Sequence, residues 1–228
     1  MKKIAIALAI ILVLAAVAYF IWRISFYYRA IQNGENIYSA DKFSSMTVGK
    51  KTSVATSGVK ILPKKDSPSL GNPQATITIV EFADFTCPFS KEAFMVMREL
   101  LTKYPEKINF VFRFFPLGDE MHKGGEEAAR AAFCAAKQGK FWQFHDKLFL
   151  NQKNFITDDL RSYSGQVGLN ASLFDNCLNA AETKAVVERD LMDGFNLGVS
   201  GTPTFFINGK KAEGAIPLDA WEKFLKKY

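Results

Sequence analysis

The pattern of apolar and polar residues divides the chain into three parts. Residues 4–22 form an uncharged and almost continuously apolar run. At 1.5 Å per residue, such a helical run matches the hydrocarbon core of a membrane, which is about 30 Å thick. From about residue 39 to residue 72, Ser, Thr, Lys, Gly and Pro dominate, which is typical of a solvated tether. Beyond residue 72, apolar positions recur at the periods of strands and helices, which predicts one folded domain with a substantial core.

The third part predicts the element order βαβ, several helices, then ββα. Residues 76–82 and 108–115 are rich in β-branched and aromatic residues and predict two strands. The first helix follows Cys87, because proline is favoured at the first helical position and Pro88 stands there. Asn208-Gly209 predicts the tight turn of a hairpin between residues 204–207 and 211–213. Helical periodicity predicts the remaining helices: 126–137, 141–150, 157–167, 172–179, 183–197 and 217–227.

The apolar run near the N-terminus defines the domain organisation. We divide the chain into a basic tail (1–3), an apolar segment (4–22), a polar basic linker (23–72) and a folded domain (73–228). The run ends in aromatic residues, which favours a single-pass membrane anchor. A cleaved signal peptide is the alternative, since Ala16-Val17-Ala18 supplies small residues for cleavage, and the domain would then be secreted. Positive charges lie on both sides of the run, so the positive-inside rule gives little information about its orientation in the membrane.

The positive net charge of +6 belongs to the N-terminal part of the chain. Residues 1–72 hold ten Lys and Arg against three Asp and Glu, whereas the rest holds nineteen against twenty. A nearly neutral domain is unlike one that binds nucleic acid through phosphate contacts. We therefore expect no nucleic-acid partner, and the membrane is the partner expected for the N-terminal segment.

The candidate chemistry lies in Cys87-Pro88-Phe89-Ser90, where a predicted strand leads into a helix. The unpaired amides of a helix N-terminus favour a thiolate, which is the nucleophile in thiol-disulfide exchange. The motif contains one cysteine, so an outside thiol is needed to release a partner from a mixed disulfide. Net oxidation of dithiols by this motif alone is therefore not expected.

Glu81, Asp84, His122 and His145 are the other candidates for chemistry. Glu81 ends a strand of Ile, Val and Phe, where burial would raise the pKa of a carboxyl group, unless the strand end is wet and Glu81 is simply solvated. Asp84 is interpreted as a turn residue, and His122 and His145 as packing or surface residues. No metal-ligand spacing, phosphate-binding loop or serine-nucleophile elbow occurs, so we expect no metal and no cofactor.

Five short motifs together resemble the DsbA-like family of thiol-disulfide oxidoreductases. Their order and spacing cover nearly all of residues 71–228, and the resemblance implies an α/β thioredoxin fold with a helical insertion at about residues 118–197. The family has C-x-x-C where this chain has C-x-x-S, with Ser90 in the second position. The motifs are residues 71–73, 81–89, 114–117, 138–146 and 198–206, including Phe141-Trp142, His145-Asp146 and Gly201-Thr202-Pro203-Thr204.

The resemblance also implies roles for single residues. It implies that Glu81 is a buried acid that relays a proton to the leaving sulfur. From their positions at the start of the helix, Cys87 is the expected nucleophile and the Ser90 hydroxyl, one turn further on, the expected hydrogen-bond donor to its thiolate. Thr202-Pro203 matches the cis-proline loop that faces the reactive cysteine in this family. The predicted substrate-binding residues are Thr202, Pro203, Pro88 and Phe89.

Cys134 and Cys177 both lie on apolar faces of the predicted insertion. Some relatives that resemble this chain join cysteines in these places as a structural disulfide, which would form outside the cytoplasm. Two buried free thiols, or a resolving role for one of them toward Cys87, are the alternatives. If the two pair, Cys87 is the one free thiol among three cysteines.

The expected function is monothiol disulfide exchange, of oxidoreductase or isomerase type, on exported proteins by a membrane-tethered extracytoplasmic domain. A small thiol or a membrane redox partner would complete the cycle. A redox-silent peptide-binding or chaperone module on the same fold is the main alternative. A third hypothesis, a glutathione-using isomerase or transferase with Ser90 at its centre, is less consistent with the apolar N-terminal segment.

Overall fold

The computed structural model describes residues 66–118, 120–152 and 155–227. The predicted membrane segment, residues 4–22, and the linker up to residue 65 lie outside the described residues. Across the described ranges, no helix combines the length and the apolar character needed to cross a membrane.

A mixed sheet forms the centre of the domain, with the strand order β1-β3-β2-β4-β5 in the described ranges. Strands β2 and β3 run parallel, and the other neighbouring pairs are antiparallel. A parallel pair needs a crossover connection, which the first helix supplies here. The strands are β1 (Ser69–Gly71), β2 (Ile77–Ala83), β3 (Ile108–Phe114), β4 (Thr204–Ile207) and β5 (Lys210–Glu213).

Every helix that the periodicity predicted is present, with ends shifted by a few residues at most. A 3-10 turn at Glu120–His122 precedes the second helix. Asn208 and Gly209 both have positive φ, at 47° and 84°, as a type I′ hairpin turn between β4 and β5 requires. The helices are α1 (Pro88–Lys103), α2 (Gly125–Lys137), α3 (Phe141–Leu150), α4 (Thr157–Gln166), α5 (Ala171–Leu178), α6 (Ala181–Asn196) and α7 (Leu218–Leu225).

The two faces of the sheet bury different helices. On one face, Phe205 of β4 packs edge-on against Trp221 of α7, and Lys103 of α1 pairs with Glu222 of α7. On the other face, a cluster that includes Phe82 and Phe115 packs against Leu191 of α6. This is the mixed α/β thioredoxin fold, with helices α2 to α5 inserted between β3 and α6.

The last helix of the predicted insertion, α6, packs partly on the inserted helices and partly on the sheet. Val186 and Val187, in the first half of α6, join the cluster built by the inserted helices. Leu191, in its second half, packs on the β2 and β3 side chains of the opposite face. The helix α6 therefore connects the insertion to the thioredoxin core, and the inserted part ends before α6.

Cys134 of α2 and Cys177 of α5 are joined by a disulfide, as the family resemblance implied. Thr183, at the start of α6, is fully buried against this bridge and donates a hydrogen bond to the Cys177 carbonyl oxygen at 2.6 Å. A bridge across 43 residues of sequence restricts the unfolded chain and so stabilises the insertion. Cys87 is the free cysteine.

The edge strand β1 corrects the predicted start of the domain. Ser69–Gly71, placed in the linker by composition, pairs antiparallel with β3, and Leu70 lies opposite Phe110. Gly71 has φ +90°, and a Cβ atom there would lie 2.2 Å from the Ile108 carbonyl oxygen, so only glycine fits. Asp66 further pairs with Arg189 of α6 at 2.6 Å. The folded domain therefore begins by residue 66 rather than at residue 73.

Candidate functional site

Cys87 occupies the N-cap position of α1, where the chain leaves β2. Its backbone is extended, with φ −74° and ψ 124°, and Pro88 begins the helix. The Cys87 amide donates to the Asp84 carbonyl oxygen at 3.1 Å, and the Cys87 carbonyl accepts from the Lys91 amide at 3.1 Å. The thiol therefore lies at the end of the helix whose first amides have no partner within the helix, where a negative charge is stabilised.

The Thr202-Pro203 loop faces this thiol across the site. The peptide bond between Thr202 and Pro203 is cis, and the Cys87 thiol donates to the Thr202 carbonyl oxygen at 3.3 Å. Only 3% of Cys87 is exposed, so the thiol is less open to solvent than its place at a helix entry suggested. Pro88 and Phe89 next to it are exposed, Phe89 by 52%. Thus the Thr202 carbonyl contacts a covered sulfur, and the exposed Pro88 and Phe89 follow Cys87 in the chain.

Ser90 is fully buried in the first turn of α1. Its hydroxyl oxygen accepts a hydrogen bond from the Asp84 amide at 3.4 Å. Within the described part of the chain, no hydrogen bond joins Ser90 to Cys87, so the predicted donation to the sulfur is not made in this state. Because the oxygen acts as acceptor toward Asp84, its own proton is free for a charged sulfur, and the predicted role of Ser90 stays a prediction.

Asp84 holds the loop between β2 and α1, as its interpretation as a turn residue required. Its buried carboxylate accepts hydrogen bonds from the Thr86 amide at 2.8 Å and from the Thr86 hydroxyl at 2.6 Å. Its second oxygen accepts from the Leu117 amide, beyond β3, at 2.9 Å. One carboxylate thereby joins the loop that carries Cys87 to the chain that leaves β3.

Glu81 lies under this loop, in the middle of the sheet. It is 2% exposed, and its register partners on either side are Phe112 of β3 and Phe205 of β4. Its Oε1 atom has no hydrogen-bond partner among the described residues. Burial raises the pKa of Glu81 to about 8, because nothing nearby compensates the lost hydration of the charge. The solvated alternative was therefore wrong, and at neutral pH the carboxyl group keeps its proton.

A buried acid of this kind makes stability depend on pH. Glu81 binds its proton more tightly in the folded chain than in the unfolded chain, where its pKa is near 4.5. Its stabilising contribution is therefore complete below pH 4.5 and is lost as the pH rises toward 8 and beyond. In urea unfolding, we expect the difference in unfolding free energy between wild type and Glu81→Gln to fall by about 3 kcal/mol from pH 5 to pH 8.

The Gln variant serves as its own control, because it keeps the shape of the neutral carboxyl and cannot ionise. Other titrating groups, His145 included, contribute to both proteins and cancel in the difference. A difference that stays constant across this pH range would show that Glu81 is hydrated and charged in the folded protein.

His145 packs as predicted, inside a group of aromatic rings. Its ring is buried and lies edge-on to Phe85, in the loop that precedes Cys87, at a centroid distance of 5.7 Å. Burial lowers the pKa of His145, and the Asp146 carboxylate, 2.9 Å from Nδ1, opposes that shift. Arg98 of α1 pairs with the same carboxylate. This group therefore ties α3 to α1 and to the loop that precedes Cys87.

Gln152 contacts the site although no motif indicated it. It follows α3 and donates from Nε2 to the Phe85 carbonyl oxygen at 2.9 Å and to the Cys87 carbonyl oxygen at 2.8 Å. The sequence offers no signal for this, because a glutamine beyond a helix end fits any solvated loop. Among the described residues, no group of three or more His, Cys, Asp or Glu side chains is placed to hold a metal ion.

A cavity of about 370 Å³ opens beside the cis-proline loop. Its wall includes Leu117, whose amide is held by Asp84, and Ser200, two residues before Thr202. Phe195 lies on its wall and is 55% exposed. A mainly apolar cavity can accept a side chain of a bound polypeptide. Its other lining residues include Phe115, Glu126 and Leu191.

Comparison with known proteins finds a matching family model and similar solved structures. A family model described as thioredoxin matches residues 64–227. A thioredoxin-like oxidoreductase from Silicibacter pomeroyi superposes with a TM-score of 0.65 at 28% identity, covering 72% of this chain and 92% of that chain. The alpha-DsbA1 protein of Wolbachia pipientis superposes with a TM-score of 0.63 at 25% identity, covering 73% of this chain and 92% of that one.

The relatives also include proteins named as Na(+)/H(+) antiporters. The Na(+)/H(+) antiporter NhaA 3 of Salinispora tropica is 37% identical over 150 residues, which is 66% of this chain and 23% of the antiporter. The chain thus spans about a quarter of the length of these relatives, and their transport activity belongs to proteins much longer than the shared part.

Proposed function

We propose that this chain, which belongs to the thioredoxin family and is DsbA-like in fold, exchanges thiols and disulfides of exported proteins through Cys87 alone. Its solved structural neighbours include a thioredoxin-like oxidoreductase, which supports the oxidoreductase type of activity. Exchange through one cysteine, exported proteins as substrates and the location in the cell are proposed on the grounds given below.

One observation carries the proposal. The free thiol of Cys87 stands at the N-terminus of α1, 3.3 Å from the Thr202 carbonyl oxygen of the cis-proline loop. The other two cysteines are joined to each other, and Ser90 occupies the position from which a second thiol would act. The site can therefore form a mixed disulfide but holds no thiol of its own to resolve it.

The reaction begins with attack of the Cys87 thiolate on a substrate disulfide. A bond forms between the Cys87 sulfur and one substrate sulfur, and the other substrate sulfur leaves as a thiolate that takes up a proton. Glu81, protonated at neutral pH, is buried in β2 six residues before Cys87, and we assign it the supply of that proton. The neutral Cys87 thiol donates a hydrogen bond to the Thr202 carbonyl oxygen, so this bond is lost when the thiolate forms.

A second thiol completes the cycle. When it comes from the same substrate, its sulfur attacks the mixed disulfide, a new substrate disulfide forms and the Cys87 thiolate is released. The result is isomerisation, in which nothing is oxidised overall. When it comes from a small thiol, that thiol ends in a disulfide with the substrate sulfur, and a second small thiol reduces the substrate fully.

The surroundings of Cys87 suit polypeptide substrates. Phe89, two residues after Cys87, exposes more than half of its surface. The cavity whose wall includes Phe195 and Ser200 is mainly apolar. Exposed rings at a site attract the apolar segments of unfolded chains. We assign Thr202, Pro203, Pro88 and Phe89 to substrate binding on this basis.

Two features support the proposed location, one in the folded domain and one in the N-terminal sequence. A structural disulfide between Cys134 and Cys177 is typical of proteins outside the cytoplasm. The uncharged residues 4–22 have the length and composition of a membrane anchor. We therefore propose a single-pass protein whose domain lies on the extracytoplasmic side of the cell membrane.

Thiol labelling tests both the single-cysteine site and the location. Intact cells that express the full chain are treated with a membrane-impermeant maleimide, and an equal sample is treated after lysis. After denaturation and digestion, we expect the label on Cys87 in both samples and a linked peptide that contains Cys134 and Cys177.

Two results would contradict the proposal. Labelling of Cys87 only after lysis, under otherwise equal conditions, would place the domain on the cytoplasmic side. A linked peptide that joins Cys87 to Cys134 or Cys177 would replace the single-cysteine mechanism by one with a resolving cysteine.

A further inference from the structure

Gln152 connects the inserted helices to the peptide that carries the nucleophile. It is half-buried just beyond α3, and its amide nitrogen lies 2.9 Å from the Phe85 oxygen and 2.8 Å from the Cys87 oxygen. A primary amide has two N–H donors, so one side chain satisfies both carbonyl groups. These residues are separated by more than sixty positions in the sequence.

The two carbonyl groups matter because of where they are. Both belong to residues 84–87, which join β2 to α1 and lie in neither element. The Cys87 carbonyl belongs to the residue that bears the nucleophile, and the Phe85 carbonyl lies two residues earlier. Carbonyl oxygens carry partial negative charge, which opposes formation of a thiolate nearby. A donor that engages both oxygens offsets that charge and fixes the path of the peptide.

Other groups hold the same loop, but no other side chain within the described ranges donates to these two oxygens. Asp84 engages the Thr86 amide and hydroxyl, which are donors. The Cys87 oxygen also accepts the first helical hydrogen bond, from the Lys91 amide. The ring of Phe85 packs on His145 and Phe149 of α3, so the segment that supplies Gln152 already lies against the loop.

We propose that Gln152 is a positioning residue for thiol-disulfide exchange, whose amide holds the 85–87 peptide and favours the thiolate of Cys87. This inference rests on the proposed function, since it concerns the reactivity of the same nucleophile. Among the described residues, Gln152 donates hydrogen bonds to the two backbone carbonyl groups and none to the sulfur, so it acts through those carbonyl groups.

Two variants distinguish the effect of the amide donors from an effect of side-chain packing. Gln152→Met keeps the length of the side chain and removes both donors. Gln152→Glu keeps its shape, replaces the donors by acceptors and adds a negative charge beside the carbonyl oxygens. A role in packing alone predicts changes in stability without a change in the pH dependence of the thiol.

The pH profile of alkylation measures this effect. The full chain, in a mild detergent, is reacted with iodoacetamide from pH 4 to pH 10, and incorporation at Cys87 is followed by mass spectrometry. Cys134 and Cys177 are bonded to each other, so Cys87 is the thiol that reports. We expect the midpoint to move up by about 0.5 pH units in Gln152→Met and by about 1 unit in Gln152→Glu.

Gln138 provides a matched control within the same insertion. It too is half-buried, and its amide exchanges two hydrogen bonds with the Asn170 backbone, at 2.9 and 3.4 Å. Gln138→Met removes these bonds without touching the Cys87 loop, and its alkylation midpoint is expected to equal that of wild type. Thermal unfolding of each variant establishes that the compared proteins are folded.

The outcome is decided by the pH profile of the folded variants. Midpoints of Gln152→Met and Gln152→Glu equal to that of wild type would overturn the inference, and Gln152→Glu decides alone if Gln152→Met does not fold. A shift of equal size in Gln138→Met would overturn it as well. An unreactive Cys87 in wild type, or a reactive Cys87 without exchange on disulfide substrates, would instead contradict the proposed function.

Discussion

Replacing Cys87 with serine is expected to reduce disulfide exchange to the uncatalysed background. A serine hydroxyl is not ionised at neutral pH, and it forms no bond equivalent to a mixed disulfide. We expect a loss of about a thousandfold or more in the isomerisation of a protein with scrambled disulfides. Because serine is close in size to cysteine and the sulfur makes one hydrogen bond, to the Thr202 carbonyl, the variant should fold as wild type does.

The matched control removes the other two cysteines. In the double variant Cys134→Ala, Cys177→Ala the nucleophile is intact, so exchange should persist at temperatures where the protein is folded. Loss of a bridge that closes 43 residues is expected to lower the unfolding free energy by about 2 to 4 kcal/mol. Full activity of Cys87→Ser would favour the alternative of a redox-silent binding or chaperone module.

Replacing Ser90 with cysteine is expected to convert the site into one that resolves its own mixed disulfides. Ser90 follows Cys87 by one helical turn and is fully buried beside the same loop. In Ser90→Cys, the new thiolate attacks the mixed disulfide at the Cys87 sulfur, the substrate leaves as a thiol, and a disulfide forms between Cys87 and the introduced cysteine. The substrate disulfide is thereby reduced and the two site thiols are oxidised.

This change should be large because the second step becomes intramolecular. A thiol held one turn away acts at a high effective concentration, so the lifetime of the mixed disulfide should fall by about a hundredfold. The measurement is the decay of a mixed disulfide with a fluorescent peptide, together with peptide reduction coupled to an external dithiol. Introducing a larger sulfur into a buried position costs about 1 to 3 kcal/mol, which a folded domain tolerates.

Ser90→Ala is the control for the hydroxyl group itself. It has no thiol, so its mixed disulfide should persist as it does in wild type. Equal mixed-disulfide lifetimes in Ser90→Cys and wild type would show that position 90 does not reach the Cys87 sulfur. In that case the lack of a cysteine at position 90 would not explain why the site needs an outside thiol to release its mixed disulfide.

The sequence predicted most of the elements because their signals are local. The helix at Pro88, the Asn208-Gly209 turn and the inserted helices each follow from residues within one or two turns of each other. The edge strand β1 was missed for the opposite reason. Three residues among turn formers have no periodicity, and their stability comes from backbone pairing with β3, more than thirty residues away.

The candidate site was predicted in part. Cys87 and the Thr202-Pro203 loop were found because their motifs resemble a known family in order and spacing. The burial of Glu81 was one of two alternatives until the structure placed Phe112 and Phe205 beside it. Gln152 was not found, since its role depends on where the end of α3 packs and not on the residues around it.

By itself, the sequence determined most of the elements, the candidate nucleophile and the absence of a second cysteine in its motif, because these depend on residue type and short spacing. The tertiary structure decided which groups surround Cys87. The Thr202 carbonyl reaches Cys87 across 115 residues, and the Gln152 amide reaches it across 65. Such contacts result from packing of the whole domain, and their energy is spread over too many residues to leave a pattern in any one segment.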